Sequence, residues 1–169
     1  MTTQTEHEFL QLINQNQGII RKVCQLYGRN DADKEDLYQE VVIQLWRSFA
    51  SFRGEAKFST WMYRIALNTA ISNLRKQTRN VTLSFPEFIP KEEADTEEEK
   101  IKEEKLKEMY AAISRLSEVE KAIVMLYLDD KSYEEMEEIL GISNGTLRVK
   151  MNRIKDKLRT LTKAEQYGA

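Results

Sequence analysis

The sequence predicts an all-α protein: two small helical domains joined by an acidic linker. Three observations lead there. Apolar residues recur at helical spacings of three, four and seven along nearly the whole chain, with no strand alternation and no internal repeat. Both prolines, Pro86 and Pro90, fall in one short central stretch. The last quarter carries two helices joined by a turn containing Gly141. The boundaries drawn from these signs are 1–79, a linker over 80–105, and 106–169. A chain of 169 residues suffices for one medium domain or two small ones.

Taken in order, Glu8 to Tyr27 carries Phe9, Leu12, Ile13, Ile19, Ile20, Val23 and Leu26 at helical spacing, with Gly18 as its weak point. Asp31-Ala32-Asp33 is a cap cluster opening a helix from about Lys34 to Phe49. Ser51 to Lys57 is a loop centred on Gly54, and Ser59 or Thr60 caps a third helix reaching about Lys76. Asn80 to Pro90 reads as linker, and the Glu/Lys-rich stretch from Lys91 to Lys107 suits a flexible segment or a solvated helix. Leu106, Met109, Tyr110, Ile113 and Leu116 resume an amphipathic pattern. Ser117-Glu118-Val119-Glu120 then forms a capping box before Ala122, Ile123, Leu126 and Tyr127.

The final segment is locally the most explicit. Ser132 and Glu135 form an S-x-x-E box, Gly141 ends that helix, and Ser143 is an N-cap for the next. At about 100° per residue, Leu147, Met151, Ile154 and Leu158 share one apolar stripe. Arg148, Val149, Asn152 and Arg153 then point outward, a chemistry suited to a major groove: guanidinium for guanine or phosphate, amide for adenine, methyl for thymine. This is a helix-turn-helix.

Net charge is −2, yet the charge is unevenly placed. From Gln44 to Asn80, Arg47, Arg53, Lys57, Arg64, Arg75, Lys76 and Arg79 face only Glu55. From Gly145 to Lys163, Arg148, Lys150, Arg153, Lys155, Lys157, Arg159 and Lys163 face only Asp156. Between these blocks, Glu87 to Glu108 holds ten acidic residues against five lysines. Two basic patches separated by an acidic spacer indicate a binder that touches a polyanion twice.

Other classes find little support. No apolar run approaches the roughly 20 residues of a membrane span, and the N-terminus lacks signal-peptide features. Cys24, the single cysteine, sits among Ile19, Ile20, Val23 and Leu26 and reads as a buried structural thiol. His7 is the only histidine, so no zinc site or cysteine–histidine pair is available. No Gly-rich phosphate loop occurs. The expectation is a cytoplasmic protein that is no enzyme, with no catalytic residue, metal or cofactor and no membrane insertion.

On the Lys34–Phe49 helix, Leu37, Tyr38, Val41, Val42 and Leu45 share one arc, while Asp36, Glu40, Gln44 and Arg47 gather on another side, rimmed by Gln39 and Ile43. Next, Phe49, Phe52, Phe58, Trp61 and Tyr63 interleave with Arg53, Lys57 and Arg64. Aromatics beside arginines stack on unpaired bases while the cations hold phosphates. Trp61, Arg64, Asn68 and Arg75 recur on one side of the third helix, with Ala66, Leu67, Ala70, Ile71 and Leu74 opposite as core.

The string Asp36-Leu37-Tyr38-Gln39-Glu40, then Trp46, then Phe52 through Asn68 with its Phe58-Ser59-Thr60-Trp61 core, resembles region 2 of a bacterial sigma factor, most closely the extracytoplasmic-function (ECF) group. Leu116-Ser117 through Lys157-Leu158-Arg159 resembles region 4. Met136-Glu137 stand where Ile-Ala is usual, and Leu147-Arg148-Val149-Lys150 where Val-Lys-Ser-Arg is common. The resemblance implies that Asp36, Gln39, Glu40 and Gln44 dock on the clamp helices of the RNA polymerase β′ subunit. It implies that the Ser51–Phe58 loop and the following helix capture an unstacked base of the −10 element, through Phe52, Arg53, Lys57, Phe58, Ser59, Thr60 and Trp61. Arg64, Asn68, Arg75 and Lys76 would hold the adjoining strand and duplex. Asn144, Gly145, Thr146, Arg148, Val149, Lys150, Asn152 and Arg153 would read the −35 element. The implied partners are core RNA polymerase (β and β′ subunits), promoter DNA and an anti-sigma factor, with the acidic linker threading the basic channels of the polymerase.

Two other classes stand beside this one. A stand-alone helix-turn-helix regulator would bind duplex unaided, and calls for strands in a sensor half. A helical nuclease calls for convergent metal-binding carboxylates.

Overall fold

The structure, a computed structural model, describes residues 3–78 and 96–167, with side chains over 4–76 and 96–162. Eight helices and no strand occur among them. The linker stretch Asn80 to Pro90, Arg79 and the side chain of Lys163 lie outside the described residues. The chain divides into two units. The first holds α1 (Thr3–Gln15), α2 (Gln17–Tyr27), α3 (Asp31–Phe49) and α4 (Phe58–Thr78). The second holds α5 (Glu97–Ser114), α6 (Glu118–Leu128), α7 (Tyr133–Leu140) and α8 (Asn144–Tyr167).

The single helix expected over Glu8–Tyr27 is broken, and the break falls at Asn16, before Gly18. Asn16 has φ −122° and ψ 20°. Its Nδ2 donates to the Leu12 carbonyl at 2.8 Å and its N–H to the Ile13 carbonyl at 3.1 Å. The amide side chain thus takes a carbonyl from the backbone ladder, and the last turn tightens. The next helix also starts earlier than expected. Asn30 is the N-cap of α3, accepting the Asp33 N–H at 2.8 Å, so Asp31 and Asp33 lie in the first turn, where the helix dipole favours carboxylates. Helix α4 begins at Phe58, with the Trp61 N–H on the Lys57 carbonyl at 3.1 Å. Ser59 and Thr60 are therefore first-turn residues and not caps.

Helix α4 packs against both α2 and α3. Met62, Tyr63, Ala66, Leu67 and Ala70 are closed to solvent, facing Ile20, Val23, Leu37, Val41 and Leu45 in one core. The small alanines permit close approach of helix axes. Between α2 and α3 the chain turns at Gly28. A Cβ there would lie 2.8 Å from the Cys24 carbonyl oxygen and collide with the Lys34 side chain, so only glycine fits. Cys24 is buried, and burial pushes its thiol up to about 11, as a structural thiol requires.

In the second unit, α8 packs against α5, α6 and α7. Leu116, Ala122, Ile123, Leu126, Met136, Ile139, Leu147, Met151 and Ile154 form its core. Thr96 caps α5, accepting the Glu99 N–H at 3.2 Å, with Glu97, Glu98 and Glu99 in the first turn. Residues 97–105 of the acidic segment are therefore helical, because cap and dipole both favour a start there. The Ser117–Glu120 capping box is complete, each side chain accepting the other residue's N–H at 3.2 Å. At Ser132 the box is half made. Ser132 accepts the Glu135 N–H at 3.1 Å, but the Glu135 carboxylate takes the Ser132 hydroxyl and lies 3.7 Å from Lys131.

Candidate functional site

Three surfaces carry the residues singled out by sequence. On the helix-turn-helix, Gly141 takes φ 70° and ψ 21°, its N–H closing on the Glu137 carbonyl. Ser143 accepts the Thr146 N–H at 3.3 Å through its hydroxyl and the Leu147 N–H at 2.9 Å through its carbonyl. Leu147, Met151 and Ile154 are buried and Leu158 half-buried, as the stripe predicts. That orientation leaves Gly145, Thr146, Arg148, Val149, Asn152 and Arg153 exposed, with Asn144 and Lys150 half-buried. Of the departures from the usual sigma pattern, Met136 and Leu147 lie in the core, while Glu137, Arg148 and Val149 are exposed.

Lys157 binds Glu120 of α6, Arg159 pairs with Asp156 at 3.3 Å, and the Lys155 ammonium lies 5.0 Å over the Tyr127 ring. These cations of the basic block have partners within the unit. Arg148 is held by neighbours: its Nε donates to Asn144 Oδ1 at 2.8 Å, and its guanidinium carbon lies 4.6 Å over the Tyr133 ring. Asn144 Nδ2 in turn donates to Glu134 Oε1 at 3.0 Å. A backbone N–H, Asn144 and the Arg148 charge hold the Glu134 carboxyl below the usual range.

On α3, Asp36 and Gln39 are exposed and Glu40 and Gln44 half-buried, with Gln44 Nε2 donating to Glu40 Oε1 at 3.0 Å. Asp36 and Glu40 line a cleft of 190 Å³ together with Asp33, Leu37, Asn73 and Leu74; Gln39 and Gln44 do not. The cleft also takes in Asp33 and Asn73, which the sequence did not single out as site residues. The spacing Asp33, Asp36, Glu40 marks one helix face and identifies the first. Asn73 comes from α4, and only packing brings it there.

The third surface surrounds the Ser51–Lys57 loop, where Gly54 takes φ 73°. Trp61 lies 5.0 Å from Phe52, 5.3 Å from Phe58 and 6.3 Å from Phe49, between ring centroids. Phe49 continues to Phe9 of α1 at 5.2 Å, and Phe9 to Trp46 at 4.9 Å. The aromatics thus form one cluster, half-buried except for Phe9, which is buried. Arg53, Lys57 and Arg64 are exposed on or next to this loop, Ser59 is half-buried, and Asn68, Arg75 and Lys76 are exposed further along α4. Two members belong to the interior instead: Thr60 is 3% exposed and Tyr63 is closed to solvent. Helical rotation from Trp61 carries both beneath the surface.

Among the described residues no group of acids, histidines and cysteines is placed to hold a metal, and no helix is long and apolar enough to cross a membrane. A capped helix-turn-helix in one all-α unit, with a loop that carries aromatics and cations in another, fits a protein of sigma-factor type. Residues 12–80 match the family described as Sigma-70 region 2, and residues 106–158 match Sigma-70, region 4. The chain is 34% identical over 148 residues to the ECF RNA polymerase sigma-E factor of Escherichia coli K12, covering 80% of this chain and 78% of that one. It is 34% identical over 143 residues to the sigma-E factor of Haemophilus influenzae, covering 76% and 73%. Its fold is similar to that of the sigma factor RpoE solved with the anti-sigma factor NepR from Bartonella quintana: TM-score 0.72, 21% identity, 96% of this chain and 98% of that chain. It is also similar to CnrH solved with the cytosolic domain of CnrY: TM-score 0.66, 18% identity, coverage 94% and 90%. The chain belongs to the ECF group of sigma-70 factors. It acts in transcription initiation, with core RNA polymerase and promoter DNA as partners, and sigma factors are non-enzymatic regulators of that process.

Proposed function

We propose that the three surfaces divide the work of initiation. The Asp36, Gln39, Glu40 and Gln44 side of α3 docks on core polymerase. The Ser51–Phe58 loop with Ser59 and Trp61 receives an unstacked base of the −10 element, while Arg64, Asn68, Arg75 and Lys76 hold the strand and upstream duplex. Extruding that base costs a few kcal/mol, offset by stacking and pocket contacts. Asn144 to Arg153 reads the −35 element. Thr60 serves this surface only by packing, since it is buried. Phosphodiester chemistry belongs to the polymerase, and this chain has no catalytic role of its own. By family, the work is done in the cytoplasm, where the polymerase is. Relatives of similar fold are solved with anti-sigma partners, which supports control of this chain by such a protein.

The observation that carries the −35 assignment is the outward face of the N-terminal half of α8, where Gly145, Thr146, Arg148, Val149, Asn152 and Arg153 are exposed. Lys155, Lys157 and Arg159 face partners within the unit, whereas Arg153 makes no hydrogen bond or ion pair among the described residues. Cationic and amide groups are thus concentrated at the N-terminal half of α8, the half that enters a major groove in this motif. In vitro transcription with core enzyme on a genomic library tests the whole reading. Initiation at sites sharing −35 and −10 sequences is expected, and absence of core-dependent initiation refutes it.

A further inference from the structure

We propose that Tyr133 and Glu134, on the first helix of the motif, are positioning residues that fix Arg148 for reading one −35 base pair. The proposal rests on the assignment of Arg148 to the −35 face. Arg148 lies one turn beyond Asn144 at the start of α8. Its plane is set by the Tyr133 ring, 4.6 Å from the guanidinium carbon, and its direction by the 2.8 Å bond from Nε to Asn144 Oδ1. Glu134 determines which end of the Asn144 amide is offered. An ionised carboxylate only accepts, so it holds Nδ2, at 3.0 Å, and leaves Oδ1 for Arg148. With the amide reversed, Nδ2 would face the Nε–H, donor against donor. The low carboxyl of Glu134 keeps this arrangement at neutral pH. With Nε engaged, Nη1 and Nη2 remain as the fork that fits guanine O6 and N7 end-on.

Stability does not account for the chain of contacts. Glu134 and Arg148 are exposed, and exposed polar pairs add little. A carboxylate beside a phosphate-binding face also weakens binding to every sequence. What Glu134 supplies is orientation, which removes part of the ordering cost of a long, flexible arginine.

The test uses the full chain with core polymerase on a promoter found by mapping initiation sites. Duplexes carrying each single change in the −35 element are compared with the parent, and the readout is the affinity ratio. Arg148→Ala is expected to lose the ratio at one base pair. Tyr133→Leu and Glu134→Ala are expected to lower that same ratio by about three- to tenfold, leave the others unchanged, and add nothing in an Arg148→Ala background. Glu134→Ala is also expected to tighten binding to all sequences, which is why the ratio is read. Tyr133→Phe keeps the ring face and retains the ratio, whereas Glu134→Gln, whose amide donates as well as accepts, no longer enforces the Asn144 orientation and lowers the ratio at that same base pair. If Arg148→Ala loses the ratio while Tyr133→Leu and Glu134→Ala keep it, positioning is overturned and the Arg148 assignment stands. If Arg148→Ala changes no ratio, both fall. A loss spread over all base pairs that follows a drop in Tm overturns positioning in favour of a folding role.

Discussion

The Lys157 ammonium reaches across 37 positions of sequence to both carboxylate oxygens of Glu120, at 2.9 and 3.0 Å. Glu120 also closes the N-terminal box of α6, so one carboxylate ties that cap to α8. Burial opposes its ionisation, but Lys157 and Ser117 outweigh burial and hold the carboxyl below the usual range. A lysine that reads in sequence as part of a polyanion-binding block is therefore a structural pin.

Removing the Lys157 contact by Glu120→Gln is expected to lower stability at pH 7 by about 0.5–1 kcal/mol, since the pair is partly exposed. Folding lowers this pKa, so the unfolded chain takes up the proton first. The contribution is full above the ordinary carboxylate value of about 4.3 and fades as pH falls through the folded value. Melting curves of both proteins should converge in acid. A Tm difference that persists unchanged at pH 3 contradicts the linkage.

Two glycines in the first unit should respond in opposite directions. Gly18 is the second residue of α2 with no atom within 4 Å of an added Cβ, so Gly18→Ala is expected to stabilise by up to about 0.5 kcal/mol, less than in a helix interior. Gly28→Ala must displace the Cys24 carbonyl and Lys34 and is expected to destabilise by about 1–3 kcal/mol. Urea unfolding of the two variants measures both signs.

Asp36 is exposed and off the apolar arc of α3, so reversing its charge does not disturb the core. Asp36→Lys is expected to weaken binding to core polymerase by at least about tenfold, about 1.4 kcal/mol, with helical content unchanged. Affinity measured by fluorescence titration, beside circular dichroism, separates docking from folding. Unchanged affinity returns this side of α3 to plain solvation.

Arg53 and Lys57 isolate the melting surface better than Trp61, because Trp61 is packed against three phenylalanines and its loss disturbs the loop itself. Arg53→Ala with Lys57→Ala is expected to impair transcription from closed duplex and to recover on a template opened in advance at −10. Arg153→Ala is expected to weaken −35 binding by about 1–3 kcal/mol and gain nothing from the opened template. Equal rescue of both variants ends the division of labour between the units.

What the sequence by itself determined is most of what is decided within one helical turn. The caps at Ser117, Ser132 and Ser143, the left-handed Gly141 and the buried stripe of Leu147, Met151 and Ile154 all stand in the structure, because each depends on neighbours three or four residues away. Even there, competition between side chain and backbone was illegible: Asn16 broke a helix that periodicity ran through, and Asn30 moved a helix start. Only the tertiary structure decided which cations stay available, since Lys157 meets Glu120 through folding alone. It likewise placed Phe9 in the aromatic cluster and brought Asn73 beside Asp33 and Asp36. Such contacts join residues far apart in the chain, and their partners are set by how whole helices pack, which no local spacing encodes.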